Sequence, residues 1–546
     1  MSYEPPQLPL EDRTLDRVLS ATTARLPDKI AIRDTQGGAI TYLALDERSN
    51  QLAHGLGALG IASKEPMLVM LTDTIDFVIA WCGMAKQGVI EVPVNLAYRR
   101  KILLHICNDS RAKTILVDRK FLDRLEEIAD DLEHIERCVL YSEDPAERKN
   151  LTLPPKLARR CQAIRFADLF SDDTSPVGPS PAFHDLLSIM YTSGTTGPSK
   201  GVMCTHAHAF VWTRVSMPLA NLTEDDVIYT SGMPLFHAAG KWAVIYASIL
   251  AGSTAILRNG FSVAHFWPDI AEHGCTVGYV MGAMANFLWQ QPESPEDAKT
   301  PLERMCLIPT IPEYQAFAKR FQVEVCTAYS STECPASSLQ PLGEPLPNNR
   351  CIGHIRKGID LAIMDEHDRE LPVGEMGEFC VRPENPWEIT LGYWGRPEAT
   401  AKAFRNLWFH TGDAGYRDAE GRLYFVDRLT DSMRRRGENI SSIEVEDEVN
   451  QHPAVLECAV FPVWDEHTEQ EVMTALVTKP GETLDPEEFI RFLNKRMPYF
   501  MIPRYVDVLE ELPKTPTGKI QKYPLREKGI SPTTWDRVAA GLKLEK

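Results

Sequence analysis

Two hydrophobic periods alternate through the first half of the chain. "TYLALDERSNQLAHGLGALGI" (41–61) carries apolar residues at helical spacing, while "EPMLVMLTD" (65–73) is a short apolar run of the kind a buried strand presents. "TIDFVIAWCGMAKQGVIEVPVN" (74–95) reads as helix followed by strand, and "RAKTILVD" (111–118) supplies another strand. Strands that are apolar on both faces need cover on both faces, so the pattern predicts an α/β architecture with buried parallel strands. "SEDPAERKNLTLPPK" and "SDDTSPVGPSPAFHD" are polar and proline-rich and read as surface loops rather than domain boundaries. The longest apolar stretch, "WAVIYASILAG" from Trp242, is too short to span a bilayer and reads as a buried helix.

The pattern changes near "DRLTDSMRRRGENI" (427–440). Before it, "GRLYFVD" resembles a strand. After it come an amphipathic helix in "SSIEVEDEVNQHP", a strand in "VLECAVFPVWD" and a helix in "DPEEFIRFLNKRM". That is a compact α+β unit with its own apolar face. A chain of 546 residues is also too long for one core. The expected division is a large N-terminal α/β domain of several subdomains, 1–430, and a small α+β domain, 431–546.

Composition narrows the function classes. Hydrophobic residues at 44% and charged residues at 25% are the balance of a soluble globular protein. A net charge of −18 argues against nucleic acid or an anionic membrane surface, although a local cluster of donors can still hold a small anion. Twelve cysteines without a CxxC pair suggest a reduced intracellular protein without structural zinc. "MSYEPPQLPLEDRT" has no apolar run and does not read as a signal peptide, and "GLKLEK" matches no sorting signal, so the cytoplasm is the expected location.

Against this ordinary background, "YTSGTTGPSKG" (191–201) concentrates glycines and hydroxyl residues around one lysine. The apolar run "LLSIMY" leads directly into it. A strand that ends this way offers backbone N–H groups and hydroxyls to an anion, with Lys200 as a point charge. It is a phosphate cradle, and not a Walker A loop, because no Gly-Lys-Ser/Thr follows Gly194 at the required spacing. A glycine-rich loop alone is weak evidence, its plain alternative being a flexible surface loop, but the whole string favours the cradle.

The string closely resembles the phosphate-binding loop of the adenylate-forming enzymes, which include acyl-CoA synthetases, adenylation domains and luciferases. Other segments match in the family's order: "YSSTE" (329–333), "HTGD" (410–413), "DRLTD" (427–431) and "PKTPTGKIQK" (513–522). With "RRRGENISS", the chain looks closest to the crotonobetaine/carnitine-CoA ligase-like branch.

The resemblance implies a two-step reaction. A carboxylate attacks the α-phosphate of ATP to give acyl-AMP and pyrophosphate, and the thiol of coenzyme A then displaces AMP. It implies that Thr192, Ser193, Gly194, Thr195, Thr196, Gly197 and Lys200 hold phosphate, that Thr332 contacts phosphate and that Glu333 ligates Mg²⁺. Tyr329 and Ser330 would face adenine, with Asp413, Phe425 and Arg428 around the nucleoside. Lys519 would reach the charge developing between carboxylate and α-phosphate, and His237, in "PLFHAAG", would gate the acyl site. Asp431 would be the hinge of a mobile C-terminal domain, with Arg436, Gly437 and Glu438 facing CoA.

Read singly, several of these have plainer roles. A Thr-Glu pair often starts a helix, an Asp beside Gly412 often makes a turn, and a lone histidine is more often packed structure. The sequence also departs from the family. Ser330 replaces the usual glycine, Thr430 and Arg434 stand where lysines are common, and "LIPTIPEYQ" (307–315) occupies an adenine-contact segment. The acid is not legible, though "VMGAMANFL" (280–288) would suit a medium-sized, partly apolar one. The main alternative is a stand-alone adenylation enzyme loading a separate acyl carrier protein. A homodimer is the default assembly.

Overall fold

The computed structural model describes residues 6–192, 199–340, 342–429, 433–435, 438–464, 470–515 and 518–544. The chain forms two compact units. The first comprises the chain up to residue 360 together with 381–408, and the second comprises 361–380 with the chain from 409 onward. The junction expected at 430/431 falls outside the described residues.

The first unit contains a seven-stranded sheet in the order Gln162–Arg165, Arg137–Tyr141, Thr114–Asp118, Pro66–Met70, Ile90–Pro93, Leu186–Thr192, Lys200–Thr205. All neighbours are parallel except the last two, which form an antiparallel hairpin. Leu68, Val92, Ile115, Leu140 and Ile189 project into one buried cluster, as continuous apolar runs require. The crossover helix Ile75–Gln87 starts where Thr74 accepts from the N–H of Phe77. It ends at Gly88, whose φ of 73° closes the helix in the left-handed region. A second run of strands, Glu324–Tyr329, Arg304–Ile308, Val277–Met281, Val227–Tyr229, Thr254–Leu257 and Ile30–Asp34, is also parallel.

The second unit contains a four-stranded sheet of Val455–Trp464, Gln470–Thr478, Tyr505–Val508 and Trp535–Asp536. Helices Ser442–Asn450 and Pro486–Asn494 cover it, burying Val445, Val449, Phe489, Ile490 and Leu493 against Val460, Val472 and Leu476. This is the α+β unit that the period change predicts. The same unit carries the antiparallel pair Phe409–Arg417 and Arg422–Arg428.

The stretch "WAVIYASILAG" forms the buried helix expected of it, in two parts. Lys241–Tyr246 is a π-helix and Ala247–Ala251 an α-helix, both buried. The wider turn begins at Lys241, whose ammonium is buried in an ion pair with Glu91 and sits 4.8 Å from the Phe77 ring. Among the described residues, no helix is long and apolar enough to cross a membrane.

Candidate active site

The glycine- and hydroxyl-rich stretch joins two arms of a hairpin. Tyr191 pairs with Gly201 and Thr192 with Lys200, so the connecting residues follow directly from the central sheet. Ser193, Gly194, Thr195, Thr196 and Gly197 lie outside the described residues. Beside the loop, His105 Nε2 lies 2.9 Å from the Ser199 carbonyl oxygen. The Tyr191 hydroxyl donates to Asp109 at 2.7 Å. Gly201 is required by contact: a Cβ there would fall 2.6 Å from Ile189 Cγ2 and 3.3 Å from Trp394 Cβ.

That close approach brings in a residue not singled out from sequence. Residues 391–394 run along the second arm: Leu391 N–H donates to Met203 O at 3.0 Å, Met203 N–H to Gly392 O at 3.0 Å, and Trp394 N–H to Gly201 O at 2.8 Å. Tyr393 is thereby held with its ring centroid 5.0 Å from Lys200 Nζ. Its hydroxyl donates to Glu333 Oε1 at 3.1 Å. The Glu333 carbonyl accepts from Thr390 N–H at 2.8 Å, which ties the acidic turn to the same segment. Lysine, tyrosine and glutamate thus form one line. The only sequence signal for it was a pair of aromatics between glycines in "LGYWGRP".

Glu333 lies in the turn between Glu324–Tyr329 and Ser338–Gln340, with Tyr329 registered on Ser338. No helix starts there. Instead Ser331 Oγ accepts from Cys334 N–H at 3.1 Å, and the Ser331 carbonyl accepts from Trp212 Nε1 at 3.0 Å. These bonds fix the turn without engaging the Thr332 or Glu333 side chains. Tyr329 is buried, while Ser330, Thr332 and Glu333 are half-buried. One Glu333 oxygen takes the tyrosine. A hard carboxylate oxygen beside a phosphate-type loop is the donor that Mg²⁺ selects, so the residues fit that ion.

His237 has a structural task. Its Nδ1 accepts from Ala239 N–H at 3.1 Å and caps the short helix Ala238–Gly240, which places the ring hydrogen of the neutral form on Nε2. The turn is pinned by Asp73, which accepts from Leu235 N–H at 2.7 Å. Burial pushes the Asp73 carboxyl up to about 7, opposed by that hydrogen bond and by the nearby Lys241 charge.

In the second unit, Asp413 and Arg428 are register partners on neighbouring strands, with Nε to Oδ1 at 3.2 Å. Asp413 is buried and sits in a strand rather than a turn, although its neighbour Gly412 has a φ of 73°. Phe425 is half-buried, opposite Gly415. Lys519 is exposed beyond Gly518, whose φ is 78°. Its N–H donates to Thr515 Oγ1 at 3.0 Å and its carbonyl accepts from Thr515 N–H at 2.6 Å. Glu438 begins the strand Glu438–Ile440, whereas Asp431, Arg436 and Gly437 lie outside the described residues.

Two family models match the chain. One described as "AMP-binding enzyme" covers residues 19–394, and one described as "AMP-binding enzyme C-terminal domain" covers 444–519. A crotonobetaine/carnitine--CoA ligase of Citrobacter koseri is 33% identical over 89% of this chain and 93% of its own length. A fatty acyl CoA synthetase of Mycobacterium tuberculosis superposes with a TM-score of 0.71 at 26% identity, covering 95% of this chain and 99% of that one. ATP-bound MatB from Rhodopseudomonas palustris shares the fold, with a TM-score of 0.81 at 24% identity, over 94% and 98% of the two chains.

Proposed function

Because the chain belongs to the AMP-binding enzyme family and is an AMP-forming acyl-CoA ligase, we propose that the line Lys200–Tyr393–Glu333 is its phosphate- and metal-handling centre. The observation that carries this is the pair of contacts made by one tyrosine: its ring with Lys200 and its hydroxyl with Glu333. ATP and coenzyme A are the co-substrates, and the first step brings a carboxylate onto a polyphosphate. Two anions must meet, so positioning and fixed positive charge supply most of the rate.

Lys200 carries that charge at the mouth of the hairpin, and Thr192 opens the loop whose hydroxyls and N–H groups hold the phosphates. The hydrogen bond from Tyr393 orients the Glu333 carboxylate. Mg²⁺, when held there, neutralises phosphate charge. Thr332 contacts phosphate from the same turn. Asp413 accepts from the ribose hydroxyls with Arg428 beside it, and Phe425 and Tyr329 supply apolar surface for the nucleoside. Lys519, on its exposed tip, serves the adenylation step. Asp431 is the hinge that then allows Arg436, Gly437 and Glu438 to meet CoA. The twelve free, buried cysteines support a reducing, cytoplasmic setting.

Nothing favours a carrier protein over CoA as acceptor. The relatives make crotonobetaine and carnitine the first acids to test, followed by fatty and aromatic acids. With the best acid of that panel, Glu333→Gln should lower pyrophosphate release by about 100-fold or more, a loss of the size seen when one preorganised electrostatic group is removed. Added Mg²⁺ should not restore it. Wild-type release in that variant would remove Glu333 from the centre.

A further inference from the structure

A second cluster, within the second unit, plays no part in this scheme. Glu378 and Cys380 lie two residues apart on the strand Gly377–Pro383, so both side chains leave the same face. His410 opens onto that face from the neighbouring strand Phe409–Arg417, and the bond from Thr411 Oγ1 to the Phe379 carbonyl, 2.8 Å, locks the two strands beside one another. The donor atoms of Glu378, Cys380 and His410 all lie within 4.8 Å of one another. Cys380 is fully buried, and Glu378 and His410 are only 9% and 8% exposed.

Two of the contacts meet at one nitrogen. His410 Nδ1 lies 2.8 Å from Glu378 Oε2 and 3.3 Å from Cys380 Sγ. Nδ1–H can donate to the carboxylate with the sulfur as a weaker second acceptor, and the same three atoms converge as the ligands of one cation would. With a cation between the three donors, the thiol proton leaves to solvent, the ring hydrogen of the neutral imidazole sits on Nε2, and all three atoms become ligands. The surroundings are already arranged for this. Glu378 Oε1 accepts from Gly412 N–H at 3.0 Å, which aims Oε2 inward. Asp368 Oδ1 lies 3.8 Å from His410 Nε2, beyond hydrogen-bond reach but near enough to become the carboxylate behind a metal-bound imidazole after a small shift.

We propose that Glu378, Cys380 and His410 form a zinc site, with Asp368 orienting the histidine. A thiolate, an imidazole and one carboxylate select a borderline metal over Mg²⁺ or Ca²⁺, and leave the fourth tetrahedral position to water. Zinc bonds of about 2.0–2.3 Å set ligand atoms roughly 3.3–3.6 Å apart, and the two separations from Nδ1, 2.8 Å and 3.3 Å, lie close to that spacing. The lack of a CxxC pair does not bear on this site, because its ligands come from two strands about 30 residues apart in sequence, the separation between Cys380 and His410. An ion there would stiffen the strand that carries Asp413, three residues beyond His410.

The full-length enzyme, stripped with chelator and incubated with Co²⁺ to constant absorbance, tests the proposal. Thiolate-to-cobalt charge transfer can arise only from a cysteine ligand, so cobalt at Glu333 gives no such band. The expected result is a band that saturates at one cobalt per chain and is displaced by Zn²⁺. It should be abolished in a folded Cys380→Ser variant and weakened at least tenfold in affinity by Glu378→Gln. Absence of the band, or an undiminished band in Cys380→Ser, overturns the proposal. Should Cys380→Ser fail to fold by circular dichroism, His410→Asn is read in the same way.

Discussion

Tyr393 joins a cation to an acid, and its hydroxyl is the part that can be removed without disturbing the ring. Tyr393→Phe keeps the contact with Lys200 and deletes the bond to Glu333. A hydrogen bond to a charged group contributes about 1.5–3 kcal/mol, so KM for Mg-ATP should rise by about tenfold or more in steady-state kinetics. The CoA step should be spared. An unchanged KM would show that Glu333 needs no help from the tyrosine. His208 offers a different residue-scale test. It is fully buried, neither ring nitrogen has a hydrogen-bond partner among the described residues, and burial pushes its imidazole down to about 3. A histidine depressed in the folded state stabilises the fold above the ordinary value near 6.5, and that contribution drains away as pH falls toward the folded value. His208→Leu should therefore flatten the decline of the melting temperature between pH 6.5 and pH 4. A parallel acid limb in wild type and variant would assign the decline to other groups.

At the scale of elements, periodicity placed what local packing decides and missed what long-range pairing decides. The helices Tyr42–Ala58 and Pro486–Asn494 fall where the apolar pattern puts them because each buries one face, and the strand Thr114–Asp118 does so because it is buried along its whole length. Lys200 and Glu333 were legible because each stands in a recognisable string. Tyr393 was not, since backbone bonds to a strand about 190 residues earlier bring it in, the separation between Val202 and Tyr393. The π-helix was hidden for the same reason: Lys241 looks like a surface residue until its partner Glu91 is known. That partner links two elements. Glu91 also accepts from Ser188 Oγ at 3.0 Å, on the strand that leads into the phosphate loop. Lys241→Met leaves a buried, unpaired carboxylate and should cost about 3–5 kcal/mol, read as a lowered melting temperature. Lys241→Met with Glu91→Leu should recover most of that loss. A double variant as unstable as the single one would show that the pair holds something apolar packing cannot replace.

Across the whole molecule, the account assigns adenylation and thioester formation to one chain with two compact units. Lys519→Ala should lower adenylation by about 100- to 1,000-fold, the scale for loss of one preorganised charge, and should largely spare CoA transfer from preformed acyl-AMP. Asp431→Pro should do the reverse; unchanged CoA transfer in that variant would remove the hinge. The most direct measurement is pyrophosphate release from Mg-ATP over a panel of betaine-type, fatty and aromatic acids, run with and without CoA and with AMP and acyl-CoA quantified. The account predicts release that depends on the acid, with AMP and acyl-CoA formed in equal amounts only when CoA is present. Pyrophosphate release with no acyl-CoA under any condition would contradict it.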